Sequence, residues 1–366
     1  MLRGLRLVGC GLALVAHGAM ALDLGRLHLP PGFHINLYAD SVPDARQLAL
    51  GKQGTLFIGS REAGKVYAAV DADHNGVAEQ VMLLAEHLTM PAGLAYRDGA
   101  LYVAAVDRVL RYADIEAHLA SPPTPQQVVG GLPTSQHHGW KFIAFGPDGA
   151  LYVPVGAPCN ICEPDFPYAS ILRIPTHGGE VTAIARGVRN SVGFDWHPLT
   201  GELWFADNGR DMLGDDLPHD EINRVTKAGQ HFGYPYVHGG ETLDPEFGAG
   251  HRLDEFTPPA IKLDAHVAPV GLAFYRGTMF PAAYRNALLV AEHGSWNRSH
   301  KSGYRVMMAT LKDDGTVASY EPLITGWLEG EESWGRPVAF ATMDDGSLLI
   351  SDDQAGVVYR VTYKQP

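Results

Sequence analysis

Long apolar runs are missing from this 366-residue chain. Beyond its first two dozen residues no stretch approaches the roughly 18 apolar residues that a membrane-spanning helix requires. Helical periodicity of useful length is missing too. Positive charge is scarce: Lys and Arg number 28 against 41 Asp and Glu, a formal charge of -13. No Lys/Arg run offsets that balance, which argues against a nucleic-acid partner. Cysteine occurs only three times. Cys159 and Cys162, in "APCNIC", are followed by Glu163 rather than by the His of a haem-attachment site, and no further zinc ligands stand nearby.

What is present begins with "MLRGLRLVGCGLALVAHGAMALDLG". Two Arg lead an apolar stretch that ends in Ala19-Met20-Ala21, a small-x-small cleavage site. Residues 1–21 therefore read as a secretory signal, which leaves one domain over 22–366 in a periplasmic or secreted protein. An uncleaved anchor or a buried helix is the alternative. Leu7-Val8-Gly9-Cys10 loosely matches a lipoprotein box but precedes most of the apolar stretch. Cleavage removes Cys10. In an exported chain Cys159 and Cys162 then form either a disulfide that clips a loop or a pair of reduced thiols.

The 42 Gly and 25 Pro are spread along the chain, which marks frequent turns. A unit recurs: an apolar-Ala-apolar strand, a Gly/Asp/Asn turn and a second apolar strand. Its copies are 47–60, 92–105, 141–156, 192–209, 270–294 and 337–353. Most continue into a third strand such as "KVYAAV", "ILRIP" or "VVYRVTY". Six such copies predict an all-β fold, a six-bladed β-propeller, with a pair of packed sheets as the alternative. "GFHINLYAD" (32–40) precedes the first copy and is expected to supply the last blade's outer strand, closing the ring. A Gly/Pro-rich insert over roughly 230–266 reads as a long loop between blades four and five.

In a propeller the start of each inner strand and the end of its neighbour share one face near the axis. Ahead of the inner strands stand Arg46; Thr89 and Met90; His137, His138 and Lys141; Arg189 and Asn190; His266; and Arg336. After the second strands stand Arg61 and Glu62, Asp107 and Arg108, Asn208 to Asp211, Glu292 to Arg298, and Asp352 to Gln354. An acidic protein thus gathers basic groups at one mouth, a setting suited to a small polyanion. Solvated loop tips are the bland alternative for any one of these residues.

At these positions the sequence resembles the soluble glucose/sorbosone dehydrogenases, six-bladed propellers that use pyrroloquinoline quinone (PQQ) and calcium. The matching pieces are "HHGWKFIAFGPDGALYVPVG", "GVRNSVGFDWHP", "DEINRVTKAGQHFGYPYVHGG", "GLAFYRG…LLVAEHGSWNRS" and "GRPVAF…GSLLISDD". "HHGW" and "GAPCN" are most similar to the sorbosone-dehydrogenase-like branch. The resemblance places the family's general base on His138, with His137 adjacent, and a structural histidine as the alternative. It places a quinone-binding pair on Arg189 and Asn190, of which Arg189 is also catalytic, and a cofactor-carboxylate partner on Arg336. A cofactor-binding Lys falls on His293, with Lys301 further along. Trp296 either stacks on a flat ring or packs its loop. Calcium would take backbone carbonyls from Gly209 and Arg210. Asp215, Asp216, Asp220 and Glu221 either hold a second calcium or form an ordinary acidic loop.

Two departures concern the substrate side. The acidic residue that orients the base in the glucose-oxidising branch is replaced by Ala157 and Pro158, and a Gln-Asn pair by the region around Thr89-Met90-Pro91. The resemblance implies oxidation of a sugar or a sugar-derived aldehyde such as sorbosone, with electrons leaving to an external cytochrome or quinone. It also implies that turnover falls with pH as the base becomes cationic. A non-catalytic binding propeller and a metal-dependent lactone hydrolase are the competing readings.

Overall fold

The computed structural model describes residues 22–176, 178–312 and 314–365; the expected signal, residues 1–21, lies outside them. Short alternating strands separated by turns form six antiparallel sheets around an axis, the expected six-bladed β-propeller. Blade 1 runs Ala45–Leu50, Leu56–Ser60, Val66–Val70 and Gln80–Ala85 from the axis outward. Blade 2 runs Gly93–Arg97, Ala100–Ala104, Val109–Tyr112 and Gln126–Val129. Blade 3 consists of Ala144–Phe145, Leu151–Val155, Ser170–Ile174 and Thr182–Arg186. Blade 5 consists of Pro269–Phe274, Leu288–Glu292, Arg305–Leu311 and Val317–Ile324.

Blade 6 joins both ends of the chain. Pro337–Thr342, Leu348–Asp352 and Val357–Tyr363 come from the C-terminal end, and Phe33–Ala39 pairs antiparallel with the last of these. The expected closure is what the structure has.

Blade 4 corrects the reading of the insert. Its first three strands are Phe194–Trp196, Leu203–Asp207 and His219–Val225, but the fourth is Ile261–Ala265, at the insert's end. The insert therefore interrupts blade 4 rather than linking blades 4 and 5. "IKLDA" alternates buried Ile261, Leu263 and Ala265 with exposed Lys262 and Asp264, as an outer strand must. Gln230–His231 pairs in parallel with blade 3's outer strand, so the insert ties two blades together.

The axis is packed tightly. A Cβ on Gly193 would lie 2.4 Å from the Val270 carbonyl oxygen, and one on Gly271 2.0 Å from that of Val338. Only glycine lets neighbouring inner strands approach so closely. Val192, Val270, Val338 and Ala339 form a small axial cluster there. Gln47 spans blades, donating to the Ile143 carbonyl at 2.8 Å and accepting from the amides of Leu94 and Ile143 at 2.9 and 3.0 Å. Together they floor one mouth. The inner strands of blades 1, 5 and 6 each carry an irregularity near their start (Ala45/Leu48, Pro269/Gly271, Pro337/Phe340), the kind of bulge that re-aims a rim.

Candidate functional site

The mouth above that floor holds a cavity of about 310 Å³. Four arginines (Arg46, Arg61, Arg189 and Arg336) and three histidines (His138, His266 and His293) line it, against Asp211 and Asp220. Blades 1, 3, 4, 5 and 6 supply these groups. Blade 2 supplies none among the described residues, and its Asp107 and Arg108 pair with each other at 2.6 Å. Lys141 is buried outside the lining, its Nζ donating to the Gly139 carbonyl at 2.6 Å.

Buried carboxylates fix the chain ahead of two inner strands. In blade 4 the amides of Arg189 and Asn190 donate to Asp207, the last residue of the second strand, at 2.9 and 2.7 Å. In blade 6 the amide of Arg336 donates to Asp352, its counterpart, at 2.9 Å. Burial raises Asp207 to about 7 and Asp352 to about 6. The same carboxylates are therefore costly to ionise and valuable as acceptors.

His138 is buried with φ at +49°, a left-handed conformation that needs support from its surroundings. Gly156 packs against it so closely that a Cβ there would lie 2.6 Å from the His138 Cβ. Nδ1 of His138 lies 2.9 Å from the Ala157 carbonyl oxygen. A carbonyl only accepts, so Nδ1 carries the hydrogen and Nε2 keeps its lone pair. Burial, then Arg189 and His137, lowers the imidazole to about 2 and keeps it neutral. A main-chain oxygen at Ala157 thus orients the ring. His137 is exposed and outside the lining.

Arg46, Asp353, His293 and Arg336 form a chain across blades 1, 6 and 5. Asp353 bonds Arg46 at 2.7 Å and accepts from His293 Nε2 at 2.9 Å. Arg336 donates to the carbonyls of His293 and Gly294 at 3.0 and 2.6 Å. Burial opposes ionisation of Asp353, but Arg46 and His293 hold it well below the usual carboxylate range. Burial lowers His293 to about 4. Lys301 is turned away, its Nζ on the Glu331 carbonyl at 2.6 Å, while Trp296 stands at the rim with 68% of its surface exposed.

Gly209 lines the cavity and its amide donates to Asp220 at 2.7 Å. Among the described residues the carbonyls of Gly209 and Arg210 accept no hydrogen bond. The Arg210 side chain points away and anchors the insert through Asp244 at 2.6 Å. The second-calcium reading needs correction. Asp220 and Glu221 are adjacent strand residues on opposite faces, and Glu221 accepts from Gly239 and Asn223. Asp215 caps the Ser299 amide, and Asp216 is exposed beside Arg298. Among the described residues the carboxylates that do converge are Asp71, Asp73 and Glu79, between the last two strands of blade 1.

Three lining residues keep buried donors without a partner among the described residues: Nε of Arg46, Nε of Arg61 and Nε1 of Trp140. Arg61 lies over the Trp140 ring at 4.8 Å. Sequence reasoning passed over Trp140, although "HHGW" displays it beside the histidines.

Residues 125–295 match the family model described as Glucose / Sorbosone dehydrogenase, and residues 246–364 match one described as TrAA12-like. An uncharacterized protein of Borreliella burgdorferi is 35% identical over 355 residues, 93% of this chain and 91% of its own. The calcium structure of a Trichoderma reesei carbohydrate-active enzyme of family AA12 superposes with a TM-score of 0.78 at 18% identity, covering 92% of this chain and 97% of that one. The holo PQQ domain of a Coprinopsis cinerea pyranose dehydrogenase gives 0.73 at 17%, with the same two coverages. The PQQ-bound aldose sugar dehydrogenase of Streptomyces coelicolor gives 0.65 at 19%, covering 92% and 100%. At these identities the solved structures establish the shared propeller. Over residues 125–295 and in its blade pattern, the chain is similar to the glucose/sorbosone dehydrogenases.

Proposed function

We propose that the cavity binds PQQ with calcium and oxidises a sugar or a sugar-derived aldehyde. The observation that carries this reading is the pairing of a cationic, donor-rich cavity with one buried, neutral histidine whose Nε2 is an open acceptor. The residues fit such a cofactor. A polycarboxylate would satisfy the unpartnered donors of Arg46, Arg61 and Trp140, whose burial without partners is otherwise costly. Arg189, Asn190, His293 and Arg336 would hold it, and the carbonyls of Gly209 and Arg210 are hard oxygens suited to calcium. Once bound, the quinone with its calcium would supply an electrophilic centre that takes up hydride.

The chain's own part is proton transfer and orientation. His138 Nε2 would accept the substrate hydroxyl proton while its Nδ1–H stays on Ala157, so the ring keeps its direction as it becomes cationic. Arg189 would supply a fixed positive charge beside the cofactor. Electrons would leave to an external cytochrome or quinone, since no haem motif is present. The signal-like N-terminus and the Cys159–Cys162 bridge support export to the periplasm or beyond.

The lactone-hydrolase reading needs carboxylates gathered on an axial metal. Among the described residues the converging carboxylates lie in blade 1's loop, outside the cavity lining. Adding PQQ and calcium to the purified apoprotein should give a quinone spectrum that an aldose or aldehyde bleaches. A spectrum that no sugar or aldehyde bleaches would leave a binding propeller, and no spectrum at all would overturn the cofactor.

A further inference from the structure

The loop after the second strand of blade 3 reaches beyond His138. Asn160 stands between Cys159 and Cys162, which are joined in a disulfide. Its carbonyl accepts from Arg189 Nε at 2.9 Å, and its Oδ1 accepts from Arg189 Nη2 at 2.8 Å. The same Oδ1 takes the Asp211 amide at 2.8 Å, while Nδ2 donates to the Asp211 carbonyl at 3.1 Å. One asparagine therefore bonds both the guanidinium and the strand-exit loop beside it. Arg189 adds Nη2 to the Asp211 carboxylate and Nη1 to the Asn208 carbonyl, both at 3.1 Å. A guanidinium has five N–H donors. Four are thus committed, and one on Nη1 remains without a partner among the described residues.

The bridge itself is docked. The Tyr234 hydroxyl accepts from the Cys162 amide at 3.0 Å and lies 3.3 Å from the Cys159 sulfur. A disulfide closing so short a ring removes little entropy from the unfolded chain, since that effect grows with loop length. Its consequence must be local: it limits the backbone freedom of the two residues it encloses, Asn160 and Ile161.

We propose that Asn160, enclosed by the Cys159–Cys162 bridge, is the positioning residue that fixes Arg189 with a single N–H left for the ligand. Opening the bridge then slackens Arg189 and weakens anion binding in the cavity. Both cysteines are only half-buried, so a dithiol can reach them. Reduction passes two electrons and two protons from dithiothreitol to the bridge, giving two thiols and cyclic oxidised dithiothreitol. The identity of the ligand, though not the role of Asn160, rests on the PQQ reading.

The experiment uses the full chain, ¹⁵N-labelled and without cofactor, and follows the Arg189 Nε–H resonance, assigned by its loss in Arg189→Lys. The parent should show a sharp, slowly exchanging signal. Asn160→Ala keeps the main-chain acceptor of Nε but loses Oδ1, which holds Nη2 and the Asp211 amide. The loosened guanidinium should broaden the signal, as should dithiothreitol treatment. Asn160→Asp retains both acceptors and should preserve it. A parallel fluorescence titration with PQQ and calcium should show binding weakened about tenfold to a hundredfold by Asn160→Ala and by reduction, and by much less in Asn160→Asp. A purely structural role would lower the melting temperature and the affinity alike in both variants, and that result overturns the proposal. An unchanged Arg189 signal in Asn160→Ala overturns it as well. If the parent does not bind PQQ, the cofactor reading fails and the resonance alone decides the role of Asn160.

Discussion

The carbonyl oxygen of Ala157 lies 2.9 Å from Nδ1 of His138, while the amide of the same residue donates to the Arg189 carbonyl at 2.8 Å. The backbone of one residue thus orients the candidate base and bonds the backbone of the candidate cation. Ala157 needs no functional side chain for this, so its substitution tests nothing; the groups around it do.

His138→Gln should retain PQQ and calcium yet lose roughly 10²–10⁴-fold in turnover. Stopped-flow mixing with substrate should place the loss in reduction of the bound quinone, not in its reoxidation by an artificial acceptor. His137→Gln should have much less effect, because that ring is outside the lining. A His138 variant that reduces the quinone at the parent rate removes His138 from the mechanism.

Gly156→Ala should reduce turnover with His138 intact. The new methyl would meet the His138 Cβ at 2.6 Å and its carbonyl oxygen at 2.9 Å, and neither can swing aside as a flexible chain end would. A kcat equal to the parent's would show that the backbone there relaxes freely.

The pH dependence differs from that of an ordinary histidine. A solvated imidazole titrates near 6.5, and the sequence alone suggests a rate that falls through that range. Burial lowers His138 to about 2, so its protonation produces no inflection in activity between pH 5 and 8. The sign for stability follows: the folded state disfavours the charged ring, so this contribution is complete above about 6.5 and is lost as pH falls below it. Ring-nitrogen NMR of the apoprotein should show His138 as the neutral Nδ1–H tautomer at pH 5. Titration near 6.5 would contradict the buried geometry.

Arg189→Ala and Arg336→Ala should each weaken PQQ binding by roughly 2–5 kcal/mol, the cost of deleting a buried charged partner. Isothermal titration of each variant against the parent reads this directly. Unaltered affinity would mean that the arginine cluster serves a different ligand.

Exported protein should begin near Leu22, with Cys159 and Cys162 resistant to alkylation until reduced. Intact mass spectrometry checks both. Retained Met1 would refute the signal, and two free thiols would refute the bridge.

The blades were legible because their signal is local: alternation, turn residues and a repeat that recurs in register. Arg46, Arg61, Arg189 and Arg336 could be gathered at one mouth for the same reason, since propeller geometry converts position in the repeat into position in space. The blade 4 outer strand was missed although Ile261, Leu263 and Ala265 alternate cleanly, because it follows the insert instead of its own blade's third strand. Ala157 and Asn160 were illegible for a different reason. One acts through its main chain, and the other through pairings with Arg189 and Asp211 that only the folded loop creates. The 215–221 segment failed as a metal loop because closely spaced acidic residues on and beside a strand point in different directions.

The last blade takes its outer strand from Phe33–Ala39 and its other three from the C-terminal end. This sets an order of events for the newly made chain. Arg336 and Asp353 join Arg46 and His293 only after nearly the whole polypeptide has emerged. The ligand can be captured only by the finished ring.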